Sequence, residues 1–191
     1  KQNLVPVNGK PLKDIALFDT SGQPLEEFYK WQFVYSCIES GLYPSELIGV
    51  EVYFPKGSKS SNPLKVDACI FDDKDWIKHY NIYSKDRTQL SSLEFLKKHC
   101  IASVEFKRGK DSMEQTFSTQ LKPAMNESDR DYVLGVIYDS ERLYLFHRQD
   151  GKIIRYDDNK NSGKGAVGEL SLNVADSYLF IPDLDDILKR N

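Results

Sequence analysis

Short apolar segments of strand length recur along the 191-residue chain and are separated by polar stretches. They lie at 49–54, 65–71, 101–107, 131–138 and 141–147, with a further short one at 152–156. Their β-branched and aromatic residues favour strands. Helical patterns precede the first segment, lie between the second and third, and follow the third. This order, α-β-β-(α)-β-α-β-β, predicts an α/β sandwich with a central mixed β-sheet flanked by helices.

Length and composition narrow the class of protein. A chain of this size forms one domain, or one domain with a small appendage, and buries roughly 70% of its unfolded surface, so no disulfide or metal is needed to hold a core. Hydrophobic residues make up 40% and aromatic residues 12% of the chain, which argues against disorder. The net charge of -3 disfavours a general nucleic-acid coat protein, but leaves room for an enzyme that contacts nucleic acid locally.

The three cysteines, Cys37, Cys69 and Cys100, form no CxxC pair. Cys37 and Cys69 lie in apolar runs and are expected in the core, and the set predicts a reducing, cytoplasmic location. No apolar run approaches the ~18–20 residues of a membrane span, and no signal-peptide pattern opens the chain, so we expect no membrane partner. Because the first residue is Lys1, we expect a chain trimmed or cut from a larger protein.

The first helix is predicted from Pro24 to about Ser40. Pro24 suits the first helical position, Glu26 and Glu27 suit the positive end of the helix dipole, and Gly41 suits the end. Leu25, Phe28, Gln32, Tyr35 and Ile38 follow helical spacing to about Ser40.

Other segments complete a single predicted domain with its core at about 24–147. An arm or short hairpin is expected before the first helix (1–23), a helical segment at 72–100, a helix at 112–125 and a tight connection at 139–140. The remainder, 157–191, is predicted as a polar loop followed by a helix after Pro182.

Two acidic residues lie within otherwise apolar strands: Asp67 in KVDACIF, and Glu105 in SVEFK. Glu105 and Lys107 are two apart on a strand, so both point to one face, while Val104 and Phe106 point into a core. Two carboxylates beside an ammonium group suit a divalent metal ion, because Mg²⁺ takes one or two carboxylates together with waters and phosphate oxygens. The lysine would then position or activate a water and offset phosphate charge.

A series of further motifs surrounds these residues. The series comprises Pro63-Leu64-Lys65-Val66-Asp67, Glu105-Phe106-Lys107, Gly41-Leu42-Tyr43-Pro44, Val50-Glu51-Val52, Lys56-Gly57-Ser58-Lys59, Gln120, Leu134-Gly135-Val136-Ile137-Tyr138 and Leu143-Tyr144-Leu145-Phe146. It resembles the PD-(D/E)xK nuclease superfamily, and most closely the N-terminal nuclease domain of type I restriction enzyme R subunits. The chain departs from the family in two respects. Pro63 lies four residues before Asp67, and 37 residues separate Asp67 from Glu105, which suggests an insertion at 72–100.

The resemblance implies a restriction-endonuclease-like sandwich that hydrolyses phosphodiester bonds of double-stranded DNA with Mg²⁺, or with Mn²⁺ as a substitute. Asp67 and Glu105 would be the metal ligands, Lys107 the catalytic lysine, and Gln120 a residue that supports the lysine or contacts backbone phosphate. The implied partners are other restriction-modification domains or subunits, such as a translocase, a methyltransferase or a specificity module.

Several residues keep two interpretations. Glu51 would join the metal cluster or simply face solvent, and Glu26 and Glu27 would supply a helix-borne acid or only favour the helix dipole. The basic residues around the site would contact phosphates or lie in solvated loops: Lys56, Lys59, Lys65, Arg108 and Lys110.

Two alternatives to the nuclease remain. One is a catalytically silent nuclease-like domain that binds DNA or a partner and keeps the acidic residues as a structural ion pair. The other is a scaffold domain, which predicts that Asp67 and Glu105 are far apart.

Overall fold

The computed structural model describes residues 16–55, 63–108, 113–138, 143–155 and 181–191. The helices are α1 Glu26–Glu39, α2 Trp76–Lys85, α3 Leu90–His99, α4 Met113–Thr116, α5 Lys122–Glu127 and α6 Leu184–Arg190. A π-helical turn, Phe117–Leu121, joins α4 to α5, and a 3₁₀ turn, Ser45–Leu47, precedes the first strand. The strands are β1 Ile48–Phe54, β2 Leu64–Phe71, β3 Cys100–Phe106, β4 Val133–Tyr138, β5 Leu143–Gln149 and β6 Lys152–Arg155.

The six strands form one sheet in the order β1-β2-β3-β4-β5-β6. Strands β3 and β4 are parallel, and the other neighbouring pairs are antiparallel. A parallel pair needs a crossover connection, and the helical stretch at 113–127 lies between these two strands in the chain. The predicted α/β class and the mixed sheet are confirmed.

Helices pack on both faces of this sheet. On one face, α1 and α6 contribute Phe33, Val34, Cys37 and Ile187 to a cluster with Val104 of β3. On the other face, a second cluster contains side chains of α2 and α3. The π turn and α5 cover β4 on that second face, where Leu121 and Met125 pack against it. The arrangement is therefore a sandwich of helices around a central sheet, as predicted.

The first helix begins later than the sequence predicts, and its buried side differs from the set of residues that show helical spacing. It starts at Glu26, because Pro24 forms an isolated bridge with Phe18 instead. The residues at helical spacing lie within or next to the helix, but Tyr35 is 62% exposed, and the buried side is formed by Lys30, Phe33, Val34 and Cys37. The phenol of a tyrosine tolerates water, so an aromatic residue at helical spacing does not by itself mark the buried face.

Two glycines account for the end of α1 and for the close packing of α5 on β4. Gly41, with φ of 74°, follows the helix in the left-handed conformation that glycine adopts readily. Gly135 of β4 lies directly under Met125, and a Cβ at this position would overlap the Met125 sulfur. The glycine in the β4 motif therefore lets α5 approach the sheet closely.

The side-chain alternation of the first two strands breaks at Glu51 and Asp67. Val50 and Ala68 pack in the cluster that contains α1, whereas Val52 and Val66 pack in the cluster on the opposite face. Glu51 has φ of 55°, an uncommon conformation for a residue with a side chain. The simple alternation expected for Val50-Glu51-Val52 is thus wrong, because the left-handed residue rotates β1 at this point.

Cys37, Cys69 and Cys100 are buried and free, which confirms the core placement of Cys37 and Cys69. Across the described ranges, no helix combines the length and apolarity required to cross a bilayer. The predicted connection at 139–140, the loop at 157–168 and the first part of the arm lie outside the described residues.

Candidate active site

Asp67 and Glu105 lie next to each other on neighbouring strands. Ala68 of β2 pairs with Val104 of β3, and the two acidic residues are the next positions along these antiparallel strands. Asp67 accepts a hydrogen bond of 3.0 Å from the backbone N–H of Phe106 through Oδ2. The two residues are only 6% and 2% exposed, so the sheet holds two carboxyl groups together in a nearly dry environment.

The Glu105 carboxyl group has an unsatisfied buried oxygen. Its Oε1 lacks a hydrogen-bond partner among the described residues. Burial and, after it, the neighbouring Asp67 carboxylate together raise the pKa of Glu105 to about 9, against the opposing effect of the Lys107 ammonium. Without an added cation, Glu105 therefore keeps its proton at neutral pH. A buried oxygen with no partner is the kind of donor that a metal ion satisfies.

Lys107 lies immediately after β3, at the same edge as the two carboxyl groups. Its backbone N–H donates a 2.8 Å hydrogen bond to the Tyr138 carbonyl, which extends the β3–β4 ladder by one residue. Its ammonium nitrogen lies 3.9 Å from Glu26 Oε2. The spacing of Glu105 and Lys107 thus brings an ammonium group beside the acidic pair.

Glu26 brings a third carboxyl group to this edge from the first turn of α1. Burial raises the pKa of Glu26, Lys107 works against that effect, and the Asp67 carboxylate adds to it. These interactions place Glu26 near both Lys107 and Asp67. The sequence left two interpretations of Glu26, a helix-borne acid or an effect on the helix dipole alone. The available signal was the pair Glu26-Glu27 at a helix start, together with the resemblance.

Glu51 lies in a network with two lysines. Its Oε1 accepts from Lys30 Nζ at 3.1 Å and from Lys65 Nζ at 2.9 Å. Lys65 Nζ also lies 3.9 Å from Asp67 Oδ1, so the network reaches the acidic pair. Burial acts to raise the pKa of Glu51, but the hydrogen bonds from Lys65 and Lys30 outweigh it and the pKa is lowered. Glu51 is therefore ionised and held by ammonium groups.

Lys30 is a member of the site that sequence reasoning missed. It is 2% exposed, and its ammonium group also pairs with Glu27, one turn earlier on α1. A lone lysine within a helix usually has its ammonium group in solvent. The sequence signal that was present is the spacing of three residues between Glu27 and Lys30.

Gln120 lies in the π-helical turn that packs on the sheet. This turn contacts β2, β3 and β4. The Gln120 side-chain Oε1 is buried and makes no hydrogen bond within the described part of the chain. π turns are frequent at functional sites. The unsatisfied oxygen can only accept a hydrogen bond, so a contact with phosphate would use the amide nitrogen of Gln120 instead.

The predicted DNA-binding residues fall into three groups. Lys65 lies at the acidic pair, as described above. Arg108 is exposed and forms a 3.2 Å ion pair with Asp19, near the start of α1. Lys56, Lys59 and Lys110 lie outside the described residues.

A small pocket of about 90 Å³ lies where β1 ends and β2 begins, and its lining includes Tyr53, Tyr80, Tyr83 and Arg87. None of the acidic residues of the site lines it. Drug-sized ligands occupy sites of roughly 300–1,000 Å³. This pocket is therefore smaller than a ligand of that size requires.

Within the described ranges, no group of three or more His, Cys, Asp or Glu side chains is arranged to hold a metal ion. A magnesium ion often takes only one or two carboxylates and completes its shell with waters and phosphate oxygens. Asp67 and Glu105 fit that smaller donor set. No family model, curated protein or solved structure matches the chain.

Proposed function

We propose that this protein is a Mg²⁺-dependent DNA endonuclease domain with a restriction-endonuclease-like fold. The single observation that carries the proposal is the adjacency of Asp67 and Glu105 on β2 and β3, with Lys107 at the same edge. Two carboxyl groups and an ammonium group in a nearly dry environment suit hydrolysis of a phosphodiester, because they can hold a cation and stabilise phosphate charge.

The charges of the cluster support a divalent cation. Its acidic residues are Glu26, Glu27, Glu51, Asp67 and Glu105, and its lysines are Lys30, Lys65 and Lys107. Among the described residues, these five carboxyl groups, when all are ionised, exceed the three ammonium groups by two negative charges. One Mg²⁺ or Mn²⁺ ion would balance them, and it would replace the proton that Glu105 holds in its absence.

The chain's own residues divide the remaining tasks. Asp67 and Glu105 would hold the ion, which supplies Lewis-acid stabilisation of the phosphate when bound. The Lys107 ammonium orients the attacking water and offsets charge on the scissile phosphate, while Glu26 holds that ammonium from α1. Gln120 would donate its amide N–H to a backbone phosphate, and Lys65 and Arg108 would attract the DNA strand.

The substrate and partners proposed here follow the resemblance to type I restriction enzyme R subunits. We propose double-stranded DNA as the substrate, other restriction-modification domains or subunits as partners, and a cytoplasmic location. A scaffold domain, in contrast, was expected to keep Asp67 and Glu105 apart. Their adjacency in the sheet supports the nuclease over that alternative.

A catalytically silent domain is the second candidate, and the lysine pairs favour it. Lys30 and Lys65 already neutralise Glu51, which is what a purely structural ion-pair network would show. Isothermal titration with MnCl₂ and with duplex DNA separates the two candidates. The silent domain predicts DNA binding without metal binding, whereas the nuclease predicts both.

The direct test of the nuclease is nicking of supercoiled plasmid by the full chain in Mg²⁺, Mn²⁺ or EDTA. Nicking in either metal that stops in EDTA would support the proposal. Metal binding to the protein with no nicking of plasmid or linear duplex in either metal would count against it.

A further inference from the structure

Lys30 is unusual because its charged end is buried in a folded protein. Only 2% of the residue is exposed, although an ammonium group loses much of its hydration energy when it is buried. The cost is offset by two carboxylate oxygens, one from Glu27 on α1 and one from Glu51 on β1. The Lys30 ammonium group therefore lies in an enclosed cation-binding position between α1 and β1.

This position adjoins the proposed metal ligands. Glu51 Oε1 is shared by Lys30 and Lys65, and Lys65 Nζ lies 3.9 Å from Asp67 Oδ1. Glu51 also adopts φ of 55°, a left-handed conformation that is strained for a residue other than glycine. The strand thus carries backbone strain at the residue that links the Lys30 position to the acidic pair.

Two carboxylates form a sufficient protein donor set for a magnesium ion. Without Lys30, the partly buried carboxylates of Glu27 and Glu51 would lose the one ammonium group that contacts both of them among the described residues, and would lie as an acidic pair beside a first cation site. Such a pair would either lose a charge by protonation or recruit a second cation.

We propose that the Lys30 ammonium is a built-in cation that occupies the position of a second divalent ion, so that the site takes one exchangeable metal ion. The inference deepens the proposed nuclease function and rests on its metal site. Lys30 is a positioning residue here, because it holds Glu27 and Glu51 in place and makes no contact with reacting atoms.

The test is the stoichiometry of Mn²⁺ binding to the full chain, measured by isothermal titration in wild type and in Lys30→Met. Methionine keeps an unbranched apolar stem but carries no charge. We expect Lys30→Met to bind one more Mn²⁺ per chain than wild type. The double variant K30M/E51Q should return to the wild-type number, because one of the two carboxylates is removed.

Lys65→Met is the matched control. Lys65 contacts the same Glu51 oxygen, but its side chain is 42% exposed and water can replace it. We expect no additional Mn²⁺ in this variant. Equal stoichiometry in folded Lys30→Met and wild type would overturn the inference, as would a gain of the same size in Lys65→Met.

Folding of Lys30→Met in EDTA provides a second readout. If the variant is unfolded in EDTA, recovery of the wild-type circular dichroism spectrum in Mn²⁺ supports the inference, and failure to recover overturns it. The proposed nuclease is tested separately by the number of Mn²⁺ ions that the wild-type chain binds. A wild type that binds no metal contradicts the nuclease, while the gain of one ion in Lys30→Met still measures the role of Lys30.

Discussion

Asp67 Oδ2 accepts a 3.0 Å hydrogen bond from the backbone N–H of Phe106, the residue between Glu105 and Lys107. This bond ties a carboxylate of β2 to the strand that carries the other two members of the candidate site. A side chain that is anchored to backbone is held more precisely than one anchored to another side chain. The Asp67 carboxylate can therefore serve as the fixed point around which the cluster is arranged.

Glu105→Gln is expected to stabilise the metal-free protein at pH 8. The pKa of Glu105 is raised by burial and by Asp67, so the folded state keeps a proton that the unfolded state releases. Glu105 makes its full contribution to the free energy of unfolding below pH 4.5, the pKa of this group in the unfolded state. That contribution is lost as the pH rises through the pKa of about 9 in the folded state. Glutamine removes that loss. Thermal unfolding in EDTA from pH 5 to pH 9 measures it, and a wild type whose stability does not fall more steeply than that of the variant would contradict the account.

Glu26→Gln is expected to weaken Mn²⁺ binding by about 10- to 100-fold while the fold is kept. The reason is that Glu26 lies 3.9 Å from the Lys107 ammonium and adds negative charge at the site. Isothermal titration measures the change. Glu39→Gln, at the other end of α1, is the matched control and should bind Mn²⁺ as wild type does. An equal loss of Mn²⁺ affinity in both variants would show that removal of any acidic charge from α1 has this effect, and would contradict a specific role for Glu26.

Gln120→Leu is expected to lower DNA cleavage by about tenfold or more, since hydrogen bonds to charged groups contribute about 1.5–3 kcal/mol. Its stability should equal or exceed that of wild type, because the buried Oε1 has no described partner to lose. Nicking rates and thermal unfolding are the two measurements. Gln115→Leu, on the exposed side of α4, should cleave at the wild-type rate. Unfolding of Gln120→Leu at a much lower temperature would show that the amide is structural.

Gly135→Ala is expected to destabilise the protein by about 1–3 kcal/mol, because the new methyl group would overlap the Met125 sulfur. Chemical denaturation measures the free energy of unfolding. The free energy of unfolding of the double variant G135A/M125A should fall by less than the sum of the losses in the two single variants. The reason is that truncation of Met125 removes the sulfur that the new methyl group would overlap, and the methyl group fills part of the space left by that truncation. Strict additivity would show that α5 does not lie on β4 at this point.

The strands could be predicted because their residues carry the information locally. Val66, Ile70 and Val104 are β-branched and lie in short runs, and the observed strands begin and end within two residues of the predicted ones. Prediction of the adjacency of Asp67 and Glu105 also required β2 and β3 to be neighbouring strands. The order of the motifs suggested this pairing, and the strand order of the sheet shows it.

Lys30 and the rotation of β1 at Glu51 could not be read from the sequence. A buried ammonium group depends on carboxylates from another element, and Glu51 is 21 residues away in the chain. The left-handed conformation of Glu51 has no local residue signal, because glycine is the usual marker of positive φ. Both features arise from tertiary contacts, which outweigh the local preferences of a helix or a strand.

The central claim is tested most directly by plasmid nicking with wild type, Asp67→Asn, Lys107→Ala and the control Lys97→Ala. Asparagine keeps an oxygen for the Phe106 N–H, and Lys97 pairs with Glu127 instead of the site carboxyl groups. We predict Mg²⁺-dependent nicking by wild type and by Lys97→Ala, with a loss of at least about 100-fold in the two site variants. Wild-type rates in folded Asp67→Asn and Lys107→Ala would contradict the account.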